Sequence, residues 1–203
     1  MLIKIFNKKI TLDCFTCYPT VYKFFKFKKG EEAFPMWAKD ELKNNEDFKN
    51  LYNNVTIPIW TDLTVDVDTY GNVKYELSQD EEFKLENYPP DKYHQLTFSN
   101  VILLKLRSPW LLKEKNNVKF TLTPLLWNHL KQVDKFWFLN KSLSFKKPLF
   151  LDIDFLVSIK KNYQGIERGT NIMQLIPLTE KEINIQHHLV DEKEIDNLNE
   201  DNR

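Results

Sequence analysis

The sequence predicts an all-β protein, a β-sandwich or jelly-roll-like fold of about nine to eleven strands with two short helices near residues 34–54. Three stretches carry that expectation. Between Leu149 and Ile159 every odd position is apolar, while Asp152, Asp154, Ser158 and Lys160 share the even positions with Phe150 and Leu156. A period of two is the mark of a strand with one buried face. From Leu63 to Leu77 the chain alternates on both sides of a short polar loop, Leu63, Val65 and Val67 and then Val73, Tyr75 and Leu77. That pattern is a β-hairpin with one packed and one wet face. From Leu96 to Trp127 the chain is nearly continuous strand material, and Val101–Leu106 is apolar at almost every position, as in a central strand covered on both faces.

Taken from the start, residues 2–6 and 10–27 are rich in Ile, Phe, Tyr, Val and Thr, and read as two or three short strands with Pro19 as a break. Phe34, Trp37, Ala38 and Leu42, then Phe48, Leu51, Tyr52 and Val55, follow helical spacing on either side of Asn44 and Asn45. Two helices that cap the sheet account for these aromatics. In VTIPIWTDLTVDVD, Pro58 removes a ladder donor and argues for an edge or a bulge near the beginning of the segment. SQDEEFKLENYPPDKYHQ is charged and carries Pro89 and Pro90, so it reads as a surface excursion. Phe136–Phe145 is one more strand candidate. After Pro148–Leu178, which contributes two long strands around Gly165 and Gly169, the end DEKEIDNLNEDNR is charged and lacks aromatics. The organisation expected is one β-rich domain over residues 1–190 and a disordered tail over 191–203.

Composition narrows the function classes. The 203 residues carry 29 basic and 29 acidic side chains, so there is no global field for nucleic acid or an anionic membrane. Nowhere do about 18 apolar residues run together, and MLIKIFNKKITLDCF lacks a long apolar signal, which predicts a soluble protein made in a cytoplasm. Two alanines and four glycines against abundant Lys and Asn point to an AT-rich genome. Cys14 and Cys17 form a CxxC, but a zinc site needs four ligands and there is no second cysteine pair. Two reduced cysteines, and no bound metal, are the expectation.

The chemistry-bearing candidates are few. Asp152 and Asp154 stand two apart on a strand, so their carboxylates share a face with Cα atoms about 6.5–7 Å apart, a spacing that can hold a cation or divide acid and base roles. Alternation places polar residues outward in any strand, however, and a solvated face is the leading reading. Asp66 and Asp68 repeat the arrangement. Trp60, Asp62 and Trp110 are the ligand-binding candidates that would join the pair if it lined a pocket. His187 and His188 are adjacent and diverge on a strand, and His94 and His129 are isolated, so no metal-ligand spacing arises. GxSxG, GxxxxGKT and GxGxxG are missing from the sequence, and no cofactor is expected. Tyr22–Lys29 interleaves aromatics with Lys23, Lys26, Lys28 and Lys29 as single-strand binders do. A core strand with solvent-facing lysines explains the same run, and the neutral chain argues against nucleic acid.

Four motifs support a broader comparison: IPIWTDL, RSPWLLK with TPLLW downstream, LFLDIDF, and IERGTNIMQLIPL. Over roughly Val55–Leu178 the chain resembles an uncharacterised family of tailed phages, especially marine ones, and some bacteria, with a PW strand, a D-x-D strand and a closing G-x-x-I-x-Q-x-I-P strand. The resemblance implies a phage setting and no particular activity. LFLDIDF and IERGTNIMQLIPL are also similar to two strands of the dUTPases, trimeric β-barrel pyrophosphatases. That likeness would make Asp152 the water-activating aspartate and Phe155 the aromatic that covers the base. The chain departs from the dUTPase pattern in the glycine before the aspartate, the Ser-Gly phosphate arm and the glycine-rich C-terminal arm.

The leading functional expectation is a phage-encoded, non-enzymatic protein that binds a protein partner or self-assembles, as a minor virion component or a host-interaction factor. Its expected location is the host cytoplasm, with incorporation into the virion as the alternative. A metal- or nucleotide-dependent hydrolase using Asp152 and Asp154, and a single-stranded nucleic-acid binder, are the competing readings.

Overall fold

The alternating segments assemble into three β-sheets among the described residues. The structure is a computed structural model, and it describes residues 9–33, 39, 53–68, 72–77, 85–87, 101–125, 136–158 and 164–200. In chain order the elements are β1 (Ile10–Thr16), α1 (Pro19–Phe24), β2 (Lys28–Lys29), α2 (Gly30–Ala33), β3 (Val55–Pro58), β4 (Leu63–Val67), β5 (Val73–Leu77) and β6 (Leu85–Asn87). They continue with β7 (Val101–Glu114), β8 (Lys119–Pro124), β9 (Phe136–Phe138), β10 (Lys141–Ser144), β11 (Leu149–Ser158), β12 (Gln164–Ile166), β13 (Asn171–Pro177), β14 (Ile183–Leu189) and α3 (Glu192–Glu200). The first sheet runs β14-β1-β7-β11-β9 with β6 also on β7, the second β10-β8-β13-β3-β2, and the third β12-β4-β5. The all-β, sandwich-like architecture is therefore as the alternation predicts. The strands number 14 among the described residues, more than expected, because several short ones flank the long ones.

The core is built from the positions the alternation picks out. Leu151, Ile153, Phe155 and Val157 on β11 are fully buried, opposite Leu104 and Leu106 of β7. The Phe155 ring meets Phe136 and Phe138 at 5.6 and 5.8 Å between centroids. Each such side chain contributes about 1.5–3 kcal/mol by leaving water. β13 supplies Met173 and Leu175 from the second sheet, and β4 adds Leu63, Val65 and Val67 from the third. The two long strands of Pro148–Leu178 thus serve different sheets.

β7 is central, with β1 and β6 on one side and β11 on the other. Its doubly covered part is Ser108–Leu112, where every residue is buried, rather than Val101–Leu106, where Val101, Ile102, Leu103 and Lys105 are half-buried. Between Leu111 and Arg107 the pairing with β11 slips, since Phe150 faces the first and Asp152 the second. Pro109 falls in that slip, where its missing N–H costs no ladder bond, and the Ser108 hydroxyl accepts from the Trp110 amide at 3.1 Å. Pro58 acts similarly. It ends β3 opposite a second register shift, between Asn171 and Met173.

Several expectations change. Residues 10–27 are not all strand: Pro19 opens the helix α1 at N1, where its fixed φ suits a first turn and its missing N–H is not needed. Phe136–Phe145 is two strands, β9 in the first sheet and β10 in the second. Leu85–Asn87, inside the supposed surface excursion, is a strand on β7. Where a disordered tail is expected, α3 forms. The Asp191 carboxylate caps it by accepting from the Glu194 amide at 2.8 Å, Glu192 and Glu194 suit the positive end of its dipole, and Ile195 is buried. The helices expected near residues 34–54 fall almost wholly outside the described residues, as do residues 2–6, His94 and His129. No helix among the described residues is long and apolar enough to cross a membrane.

Candidate functional site: the outer face of the first sheet

Residues paired across strands point to the same side of a sheet, so the register orders the outer face of β7, β11 and β9 into rows. Asp152 faces Arg107, Asp154 faces Lys105, and Leu156 lies between Leu103 and Trp137. The period of two puts Asp152 and Asp154 side by side, as their spacing requires. Each carboxylate holds a cation: Arg107 Nε lies 3.2 Å from Asp152 Oδ1, and Lys141 Nζ 2.7 Å from Asp154 Oδ2. Both aspartates are half-buried, with side chains 25% and 17% exposed. Next to this ionic band runs the apolar row Leu103, Leu156 and Trp137, whose tryptophan is 47% exposed.

The other ligand candidates lie elsewhere. Trp60 and Trp110 are in the hydrophobic core. Asp62 precedes β4, where its Oδ1 accepts from the Arg168 amide at 2.8 Å and its Oδ2 lies 3.9 Å from Arg168 Nε. It thereby ties the β12–β13 turn to the third sheet, a turn in which Gly169 takes a φ of +82° and donates to Ile59. Asp68 closes the β4–β5 hairpin by accepting from the Asn72 amide and side chain at 2.8 and 2.7 Å. Asp66, exposed, pairs across β5 with Lys74.

The Tyr22–Lys29 run divides between surface and core. Val21, Phe25 and Phe27 are buried, Phe24 is 62% exposed, and Lys23 and Lys28 are exposed. Lys23 Nζ stands 4.9 Å from the Phe24 ring centre and Lys26 Nζ 4.1 Å from that of Tyr22. Lys29 bonds Glu182 at 2.8 Å, and the same carboxylate holds Lys9 at 3.1 Å. Two lysines hold the Glu182 acid below its usual range.

The two adjacent histidines diverge and enter separate networks. His188 Nε2 lies 2.9 Å from Asp13 Oδ1, and its ring stacks on Phe15 at 4.7 Å. His187 turns inward beside Trp110, 5.2 Å between centroids, and its Nε2 accepts from the Phe27 amide at 3.1 Å. That bond requires a neutral imidazole with its proton on Nδ1. Burial, then Lys26 and His188, push its pKa down to about 4. Cys14, its partner on β1, is buried, which with Asp13 raises the thiol pKa well above the ordinary value, so the residue stays a thiol. Neither Cys14 nor Cys17 forms a disulfide among the described residues. The Asp13–His188 pair escapes a reading by sequence spacing because 175 residues separate its members. Only the parallel pairing of β1 with β14 joins them.

Among the described residues no group of three or more His, Cys, Asp or Glu side chains is arranged to hold a metal ion. Compared with protein-family models and with curated proteins, the chain matches none.

Proposed function

We propose that this protein works by binding or assembly rather than catalysis, in the tailed-phage setting that its motifs resemble, as a minor virion component or a factor that engages a host protein. The observation that carries the reading is the composition of the outer face. Its two carboxylates are each engaged by a cation, and the adjoining row ends in a half-exposed tryptophan. Trp and Arg are the side chains that dominate protein interfaces. The test is to follow the chain in purified phage particles and in extracts of infected cells. Wild type should be found at a fixed copy number in particles or in a stoichiometric complex with one host protein. Trp137→Ala should lower that occupancy by about tenfold or more, the effect of losing a hot-spot aromatic. Enzyme-like turnover of nucleotides, phosphoesters or glycans that disappears with Asp152→Asn and Asp154→Asn would instead establish the hydrolase reading.

A second reading rests on Phe24, exposed at the end of α1 with Lys23 Nζ 4.9 Å from its ring, and on Lys26 and Lys28, which follow it in the sequence. An exposed ring among lysines is a stacking platform for single-stranded nucleic acid. It requires binding that weakens steeply with salt and with Phe24→Ala, and a gel shift that shows none at low salt removes it.

A further inference from the structure

The geometry points to a proton-sensitive latch: the bond from the Phe27 amide to His187 Nε2 holds residues 18–27 against the sandwich, and protonation of His187 releases that segment while the sheets stay folded. Three observations converge on it. The segment is a strap that crosses from the first sheet to the second, since it leaves β1 at Thr16 and joins the second sheet through β2. Its anchors, Val21, Phe25 and Phe27, are side chains of the common core, and the Phe27 ring lies 5.5 Å from Trp110. The polar tie at this end of the strap, Phe27 N–H to His187 at 3.1 Å, needs a lone pair on Nε2.

A proton on that nitrogen turns the acceptor into a donor facing a donor, and places a cation beside Lys26 in a half-buried site. Among the described residues, the titratable and charged groups around His187 are Lys26 on the strap, His188 on its own strand and Cys14 on β1, while β7 contributes the uncharged Trp110. Two of the three, Lys26 and His188, already oppose its protonation through their charge, and the buried Cys14 stays a neutral thiol. Nothing in this set compensates an imidazolium. The strap is the element able to yield: its helix is six residues long, whereas β1 and β14 pair over seven residues each. Opening would uncover Phe25, Phe27 and Trp110 next to the exposed Phe24, enlarging one apolar surface in response to acid.

Hydrogen exchange on the full chain tests this by mass spectrometry. The peptide covering residues 18–27 is compared with one from β11 between pH 7 and pH 4, with rates corrected for intrinsic exchange. Exchange of the strap should accelerate by about tenfold by pH 5 while β11 is unchanged, as expected for a histidine whose affinity for protons rises on opening. His187→Gln keeps an acceptor that does not titrate, and should flatten the profile. Lys26→Gln removes a like charge that opposes the imidazolium in the closed state, so the gain in proton affinity on opening shrinks and the acid acceleration should weaken, even if the strap is looser at every pH. A strap that opens only together with β11, or a pH profile unchanged in both variants, refutes the latch.

Discussion

Arg107 and Asp152 face each other across β7 and β11, Nε to Oδ1 at 3.2 Å, one register position beyond the slip that accommodates Pro109. The pair shows how a carboxylate chosen for its chemistry is absorbed by its neighbours. With the arginine half-exposed, the bond contributes about 0–1 kcal/mol. Asp152→Asn together with Asp154→Asn should therefore leave the fold intact and change unfolding free energy by about 1 kcal/mol or less per site. Urea titration checks it, and a loss of several kcal/mol would mean that the pairs are structural keystones.

Glu114 makes the opposite prediction. It is buried at the end of β7, and its two carboxylate oxygens accept from the amides of Asn116 and Val118, closing the turn in which Asn117 takes a positive φ of 58°. Glu114→Ala strands both donors and should cost about 1–3 kcal/mol or more. Glu114→Gln keeps one acceptor and should cost less. Equal effects of the two substitutions in urea would show that the hydrogen bonds are not what the residue supplies.

Gly169 is the second sensitive turn position. Its φ of +82° is one that residues with a Cβ rarely adopt, although a Cβ itself would find only the Phe25 ring edge at 3.9 Å. Gly169→Ala should therefore cost about 1–2 kcal/mol from backbone strain rather than from a clash. Asp62→Ala, which frees the Arg168 amide of the same turn, should cost a comparable amount. The double variant should fall short of the sum, because both changes loosen one turn. Full additivity in thermal or urea unfolding would separate the two residues.

Global stability should depend on acid through His187. Its pKa is about 4 when folded against an ordinary 6.5, so the unfolded chain binds the proton more tightly. The contribution is complete above pH 6.5 and is lost as pH falls toward 4. Because the ring is only partly shielded, the expected loss is about 1–2 kcal/mol after solvent screening. The difference in unfolding free energy between pH 7 and pH 4.5 should shrink in His187→Gln, and shrink less in His188→Gln, which removes only the smallest of the three influences on the His187 ring.

What the sequence determined by itself is whatever depends on spacing along one strand. Alternation identified Leu151, Ile153, Phe155 and Val157 as core and placed Asp152 with Asp154 on the other face. It also found the β4–β5 hairpin, although the register that sets Leu63 opposite Leu77 came only with the structure. Those properties follow from the pleat alone, which repeats every two residues whatever the strand pairs with. Partners across strands are a different matter, because pairing joins residues that no local pattern relates. Arg107 and Lys141 on the two aspartates, His188 on Asp13 and the Phe27 amide on His187 were decided only by the tertiary structure. So was the helix at Pro19, in a run whose Phe and Tyr suit strands, because burial of Val21 and Phe25 on the sandwich outweighs weak local preference. A carboxylate's position could be read from the chain. Its electrostatic partner, and with it the character of the face, could not.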